Sequence, residues 1–207
     1  VGSEMCIRDS GCSSLRVHFT ITMKKVALHN EIYLIEDFLT SDDCQSLIAY
    51  SEERGYEEAK VNLDGKQVLM TMVRNNERLL DSNTARAEDY WDQLRIFHPT
   101  KLGNAQAIGL NELFRFYKYT NRQRFKKHKD GSYVRNDQEF SAYTFMIYLN
   151  DDYSGGETAF ADLTVQPKQG TALIFRHELK HEGKPIIDGV KYVLRSDIMY
   201  RLNETDE

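Results

Sequence analysis

Four segments in the second half of the chain, LFRFYKY at 113–119, YTFMIYL at 143–149, TALIF at 171–175 and VKYVLRSDIMY at 190–200, are dense in β-branched and aromatic residues and read as strands. Between them lie NDDYSGGE, DLTVQPKQG and PIIDG, whose Gly, Asp and Pro clusters are turn chemistry. Short strands joined in this way predict a sandwich or jelly roll, an architecture that holds a ligand between its two sheets. Upstream, IYLI at 32–35 reads as a further strand, and Thr40 and Ser41 offer caps to a helix carrying Cys44, Leu47 and Ile48 on one face. QVLMTMV at 67–73 is rich in apolar and β-branched residues, and a second helix from about Thr84 places Ala87, Trp91, Leu94 and Phe97 on one stripe. The expected class is α+β and mainly β, with the N-terminal helices bracing one sheet.

At 207 residues the chain fits one domain with one sizeable core, expected over 23–202 with 203–207 as a tail. A hydrophobic share of 41% argues against disorder despite 29% charged residues. The net charge of −5 gives no cationic footprint for a phosphate backbone, so nucleic acid is not an expected partner. No run of about 18 apolar residues occurs, so no membrane span is expected. Cys6, Cys12 and Cys44 form neither a CxxC nor a disulfide framework, which suggests a reducing compartment and a cytoplasmic protein. The first 22 residues lack a signal-peptide core and any stable period, and are expected to be a non-native or disordered leader, with Met23 a candidate start.

The chemistry concentrates at His128-Lys129-Asp130 and at His181. In extended chain, residues i and i+2 project to one side, so His128 and Asp130 can reach one ion while Lys129 points away. Two imidazoles and one carboxylate on one face of an octahedron leave adjacent positions open for a bidentate cosubstrate and dioxygen, the arrangement of non-haem Fe(II) oxygenases. A bare HxD recurs by chance and is otherwise a solvated loop. The reading gains weight from the distal histidine and from Lys191, a strand cation able to answer a metal-bound dicarboxylate. His177, four residues before His181, competes as third ligand. Arg195 shares a strand face with Lys191 and Val193, and reads either as a cosubstrate contact or as a core-edge ion pair. Tyr117 shares a face with Tyr119 and reads as packing. His29 and His98 read as structural or solvated. GGE at 155–157 lacks the helix and lysine of a phosphate loop and reads as a turn.

RFYKYTNRQRFKKHKDGS at 115–132, FMIYLNDDYSGGETAF at 145–160 and KHEGKPIIDGVKYVLRSDIMY at 180–200 resemble the prolyl 4-hydroxylase-like branch of the Fe(II)/2-oxoglutarate-dependent oxygenase superfamily, over about 32–200. The resemblance implies a double-stranded β-helix, a distorted, cupin-like jelly roll. It implies Fe(II) held by His128, Asp130 and His181, which it favours over His177, and 2-oxoglutarate as cosubstrate with ascorbate as an auxiliary reductant. Lys191 then matches the base for the distal carboxylate of 2-oxoglutarate, with Tyr119 donating to the same group, and Arg195 is carried as a further cofactor contact. Where many relatives have a glycine after the tyrosine, this chain reads Thr120-Asn121-Arg122-Gln123, so the loop leading to the metal is expected to differ. Arg74 and Asn76, at a strand end where related enzymes line the substrate entrance, are carried as substrate contacts. The implied reaction is hydroxylation of an unactivated C–H bond, led by a prolyl residue in a peptide or protein. The alternatives are a hydroxylase of a free amino acid or other small molecule, a redox-silent cupin-like metal protein, and a non-catalytic binding module.

Overall fold

Alternation along the strands builds two hydrophobic cores rather than one, because both faces of the main sheet are covered. The computed structural model describes residues 23–59, 61–63, 66–68 and 74–203. Its main sheet has 10 strands, and the central order is Ile32–Glu36, Ala172–Arg176, Glu139–Tyr148, Val190–Leu202, Leu113–Thr120 and Glu77–Ser82, each antiparallel to its neighbour. On one face Phe114, Phe116, Phe145, Ile147, Ile174 and Leu194 pack against the helices. Residues one step along the same strands, among them Tyr117, Tyr148, Leu173, Phe175 and Val193, form a second cluster inside the barrel. A strand buried on both faces reads as a continuous apolar run, which is why these four segments stood out.

The helices fall where the caps predict. Ser41–Arg54 starts at Thr40, whose side chain accepts from the Asp43 N–H while Asp43 answers the Thr40 N–H, a complete capping box. Cys44 and Leu47 are buried from this helix and Ile48 lies at its edge. Thr84–Leu94 is capped by Asn83. Its buried residues are Ala87, Tyr90 and Leu94, so the stripe predicted through Trp91 is rotated by one residue. The Tyr90 ring meets Phe38 and Phe114 edge-on at centroid distances of 5.6 and 6.0 Å, and Trp91 is left half-buried beside His98. Phe97 lies beyond the helix end.

The second sheet consists of Phe125–His128, His181–Gly183, Thr158–Ala159 and Thr164–Val165 in that order, and Ser154–Gly155 pairs with Ile186–Asp188. Three of these strands lie inside segments read as turns: NDDYSGGE, DLTVQPKQG and PIIDG each carry a strand of two or three residues. Pieces this short show no period, and their Gly, Asp and Pro content masks them. Of the expected strand at 67–73, residues 66–68 are strand and 69–73 lie outside the described residues, as do the leader 1–22 and 204–207.

The turn after the strand Leu113–Thr120 carries the anticipated departure. Arg122 has φ +63°, a left-handed conformation that glycine adopts without cost, and its N–H donates to the Ile186 carbonyl at 2.9 Å. The Gln123 side chain accepts from the Thr120 N–H at 2.8 Å and closes the turn. Among the described residues no helix is long and apolar enough to cross a membrane.

Phe116, fully buried against the helices, tests the outer core. Phe116→Ala should cost about 3–5 kcal/mol in denaturant unfolding, while Ile187→Ser, at a residue 75% exposed, should stay within about 0.5 kcal/mol.

Candidate metal centre

Strand register brings the two candidate histidines together. His128 ends Phe125–His128, His181 begins His181–Gly183, and they are direct partners across the antiparallel pair. Asp130 follows two residues later, held by its N–H donating to the His177 carbonyl at 3.2 Å. One ligand atom from each of His128, Asp130 and His181 lies within 4.8 Å of the others. His128 Nε2 is 3.5 Å from Asp130 Oδ1, and His181 Nε2 is 3.7 Å from Asp130 Oδ2. Ligand atoms at adjacent octahedral corners with bonds of about 2.1 Å sit roughly 3 Å apart, so this set closes on one ion with small adjustments.

The tautomers fit as well. His128 Nδ1 donates to the Lys126 carbonyl at 2.8 Å, and His181 Nδ1 to the Leu179 carbonyl at 3.0 Å. With Nδ1 engaged in this way, the Nε2 of each imidazole faces Asp130 and is the atom available to a metal, the usual second-partner arrangement of a metal-bound histidine. Burial pushes the His181 pKa down to about 4, against the pull of Asp130, so its lone pair is free at neutral pH. Burial opposes ionisation of Asp130, yet Arg195 and the two histidines hold its carboxyl well below the usual carboxylate range. The donor set therefore suits Fe(II).

Behind the ligands runs a network that sequence reasoning only half found. Arg195 Nη2 sits 3.2 Å from Asp130 Oδ2 and 3.0 Å from Asp197 Oδ1. Thr144 Oγ1 also donates to Asp130 Oδ2. Asp197 is paired with Arg115 at 2.9 Å and faces His177 Nε2 at 3.5 Å. His177, read as a competing ligand, is buried and addresses Asp197 rather than Asp130. The strand period that put Arg195 beside Lys191 extends to Asp197 and was the available signal for it.

Lys191, Tyr119 and Arg195 line a pocket together with His128, Asp130 and His181. Lys191 is buried, its ammonium donates to the Gly156 carbonyl, and among the described residues no carboxylate lies within ion-pair distance of it. Desolvation lowers its pKa to about 7, against the opposing pull of Glu157. GGE therefore does more than turn the chain. Gly156 has φ +71°, and a Cβ there would stand 2.5 Å from Ile186 Cδ1, so glycine is what lets this carbonyl face the lysine.

Tyr117, expected to be packing, is buried in the inner cluster and also faces the pocket. Arg74 is 5% exposed, with its guanidinium 4.2 Å from the Tyr117 ring centroid and 4.5 Å from that of Phe125. Phe125 in turn stacks on His128 at 3.5 Å. Asn76 accepts from Arg74 Nε at 2.7 Å and donates to the Glu77 carbonyl, so it braces Arg74. His98 is structural, held between the hydroxyls of Tyr33 and Tyr200, with burial lowering its pKa to about 3, and His29 is exposed.

A family model described as the 2OG-Fe(II) oxygenase superfamily matches residues 114–196, the span that carries the three ligands, Lys191 and Arg195. No curated protein sequence matches. Among solved structures the fold is similar to a Pseudomonas putida prolyl-4-hydroxylase (20% identity, TM-score 0.61, 84% of this chain and 94% of that one). It is also similar to a Trichoplax adhaerens prolyl hydroxylase in complex with a hypoxia inducible factor oxygen degradation domain peptide fragment (18%, 0.64, 82% and 83%). A viral collagen prolyl hydroxylase of Paramecium Bursaria Chlorella virus-1 gives 18%, 0.59, 83% and 97%. At these identities the likeness is one of fold, and it bears out the mainly β, double-stranded β-helix architecture.

Equilibrium dialysis should find one divalent ion per chain, lost in His181→Ala. Arg195→Gln should weaken metal affinity by roughly 10–100-fold, the range for removing a residue that orients a ligand.

Proposed function

We propose that the protein, whose residues 114–196 match the 2OG-Fe(II) oxygenase family model, is a 2-oxoglutarate-dependent dioxygenase that hydroxylates an unactivated C–H bond using Fe(II) held by His128, Asp130 and His181. When bound, the iron with 2-oxoglutarate and dioxygen supplies the oxidising power: one oxygen atom enters the C–H bond, and the other enters the succinate formed as 2-oxoglutarate loses carbon dioxide. The chain's residues position. Lys191 answers the far carboxylate of 2-oxoglutarate and Tyr119 donates to the same group. Arg195 fixes Asp130, so the ligand carboxylate stays ionised and oriented inside a pocket walled by Met146, Phe175 and Val193. The observation that carries this reading is Lys191, a buried cation lacking a carboxylate partner among the described residues and opening on the same pocket as the three ligands.

For the substrate, a prolyl residue of a peptide is the leading reading, supported by the likeness to prolyl hydroxylases, one of them holding a peptide. A free amino acid or other small molecule is the second reading, favoured by the arginines that crowd the metal ligands.

Anaerobic titration of the Fe(II)-loaded protein with 2-oxoglutarate should develop a weak visible charge-transfer band. Lys191→Ala should need at least about tenfold more 2-oxoglutarate, equivalent to roughly 1.4 kcal/mol, and His181→Ala should give no band. Iron-loaded wild type without a band would sink the proposal. The pH dependence has a definite sign. With the free lysine pKa at about 7, 2-oxoglutarate must bind the ammonium form and raise that pKa. Affinity should therefore fall as pH rises above about 7, by up to about tenfold per unit, and the slope should flatten in Lys191→Ala.

A further inference from the structure

We infer that a second chamber, which shares His128, Asp130 and Arg195 with the Lys191 pocket but is lined by Arg74 instead of Lys191, binds an anionic group of the substrate, a carboxylate or a phosphate, through Arg74. The inference rests on the oxygenase reading and names the charge of its substrate. Arg74, Arg78, Arg115 and Arg195 all line this chamber, with His128 and Asp130 in its wall.

The chamber's own carboxylates are already engaged. Asp197 is held by Arg115 and Arg195 at 2.9 and 3.0 Å. Asp130 faces Arg195 and the two histidines, and in the loaded protein it is spent on the metal. Among the described residues no carboxylate lies within ion-pair distance of Arg74, and its Nη2 is buried without a hydrogen-bond partner.

The cations also act against one another. Burial opposes the charge of Arg74, the hydroxyls of Tyr117 and Tyr119 favour it and leave its pKa raised, and Arg195 works against it; burial, Arg74 and Arg115 oppose the charge of Arg78. A buried guanidinium that is stacked but incompletely hydrogen-bonded keeps much of its desolvation cost, and an oxyanion arriving at the free edge of its fork removes it. Stacking between Tyr117 and Phe125 accounts for the faces of Arg74 and Asn76 accounts for Nε. Neither accounts for Nη2.

2-Oxoglutarate does not fill this role, because its ends are answered by the metal and Lys191, in a pocket that Arg74 does not line. A prolyl residue inside a neutral peptide carries no charge to offer, so a peptide substrate would have to bring an acidic group beside the residue that reacts. The substrate class is therefore an acid or an acidic peptide, with its anionic end at Arg74 and the carbon to be hydroxylated towards the metal.

The test uses probes matched in shape. Fe(II)- and 2-oxoglutarate-loaded protein, kept anaerobic, is titrated calorimetrically with benzoate, phenyl phosphate and benzamide while the visible band is followed. Benzoate or phenyl phosphate should bind at least tenfold more tightly than benzamide with the band retained, and the tighter of the two identifies a carboxylate or a phosphate as the natural group. Arg74→Gln should cut that preference at least tenfold. Arg78→Gln should reduce it too, and serves if the buried Arg74 variant fails to fold. Equal or absent binding of acid and amide, loss of the band on adding benzoate, or a preference kept in both variants would overturn the inference. A starting complex with no band is a failure of the oxygenase reading itself and is seen before any probe is added.

Discussion

Keeping Asp130 ionised in a buried position is the constraint on which the rest of the site depends. Its side chain is 4% exposed, and an uncompensated carboxylate at such depth costs several kcal/mol. Arg195 and Thr144 compensate it. Burying Arg195 creates a second demand, met by Asp197, and Asp197 is balanced in turn by Arg115 and His177. This relay lies across two adjacent strands of the main sheet, Leu113–Thr120 and Val190–Leu202, where Arg115 and Arg195 are direct partners. A central strand pair of the main sheet is thus also what holds the candidate metal carboxylate.

A single strand contributes to both chambers. From Lys191 the residues at 191, 193, 195 and 197 alternate inward, a cation for one chamber, an apolar spacer, then the arginine and aspartate of the other. The even residues do the opposite work: Leu194, Ile198 and Tyr200 belong to the core under the helices. A slip of one residue in the register with Leu113–Thr120 would exchange the two sets and destroy metal site and outer core together.

This division explains what the sequence revealed. Strand alternation and the capping residues are local, so five of the main sheet's 10 strands and both helices could be read from composition and period, while Lys24–His29, Glu77–Ser82 and Ala105–Leu110 were not. The pair His128 and Asp130 was legible because two residues in extended chain share a side; Asp130 lies beside His181, the candidate that the resemblance favours, while His177 faces Asp197. What stayed hidden depends on distant partners. Nothing local to Gly155-Gly156-Glu157 says that a lysine 35 residues on will need its carbonyl. Tyr117 looked like packing because the guanidinium stacked on it comes from Arg74, and the short strands of the second sheet are set by pairing rather than by propensity. The slip from Trp91 to Tyr90 shows the same limit: period locates a helix face to within a residue, and the neighbouring rings of Phe38 and Phe114 decide which aromatic is buried.

On the proposed reading the two chambers would recognise anions with different chemistry, Lys191 for the cosubstrate and Arg74 for the substrate. Lys191 is a compact charge in dry surroundings, neutral or charged according to what is bound, so an empty chamber need not carry a full buried cation. The guanidinium of Arg74 stays charged at any physiological pH and is instead steadied by two aromatic faces. It also has a mechanical link to the iron site, because the Phe125 ring it rests on stacks against His128. An acid drawn to Arg74 would thus settle against the same stack of rings that orients a metal ligand. Charge recognition of the substrate and placement of its reacting carbon would then be one event rather than two.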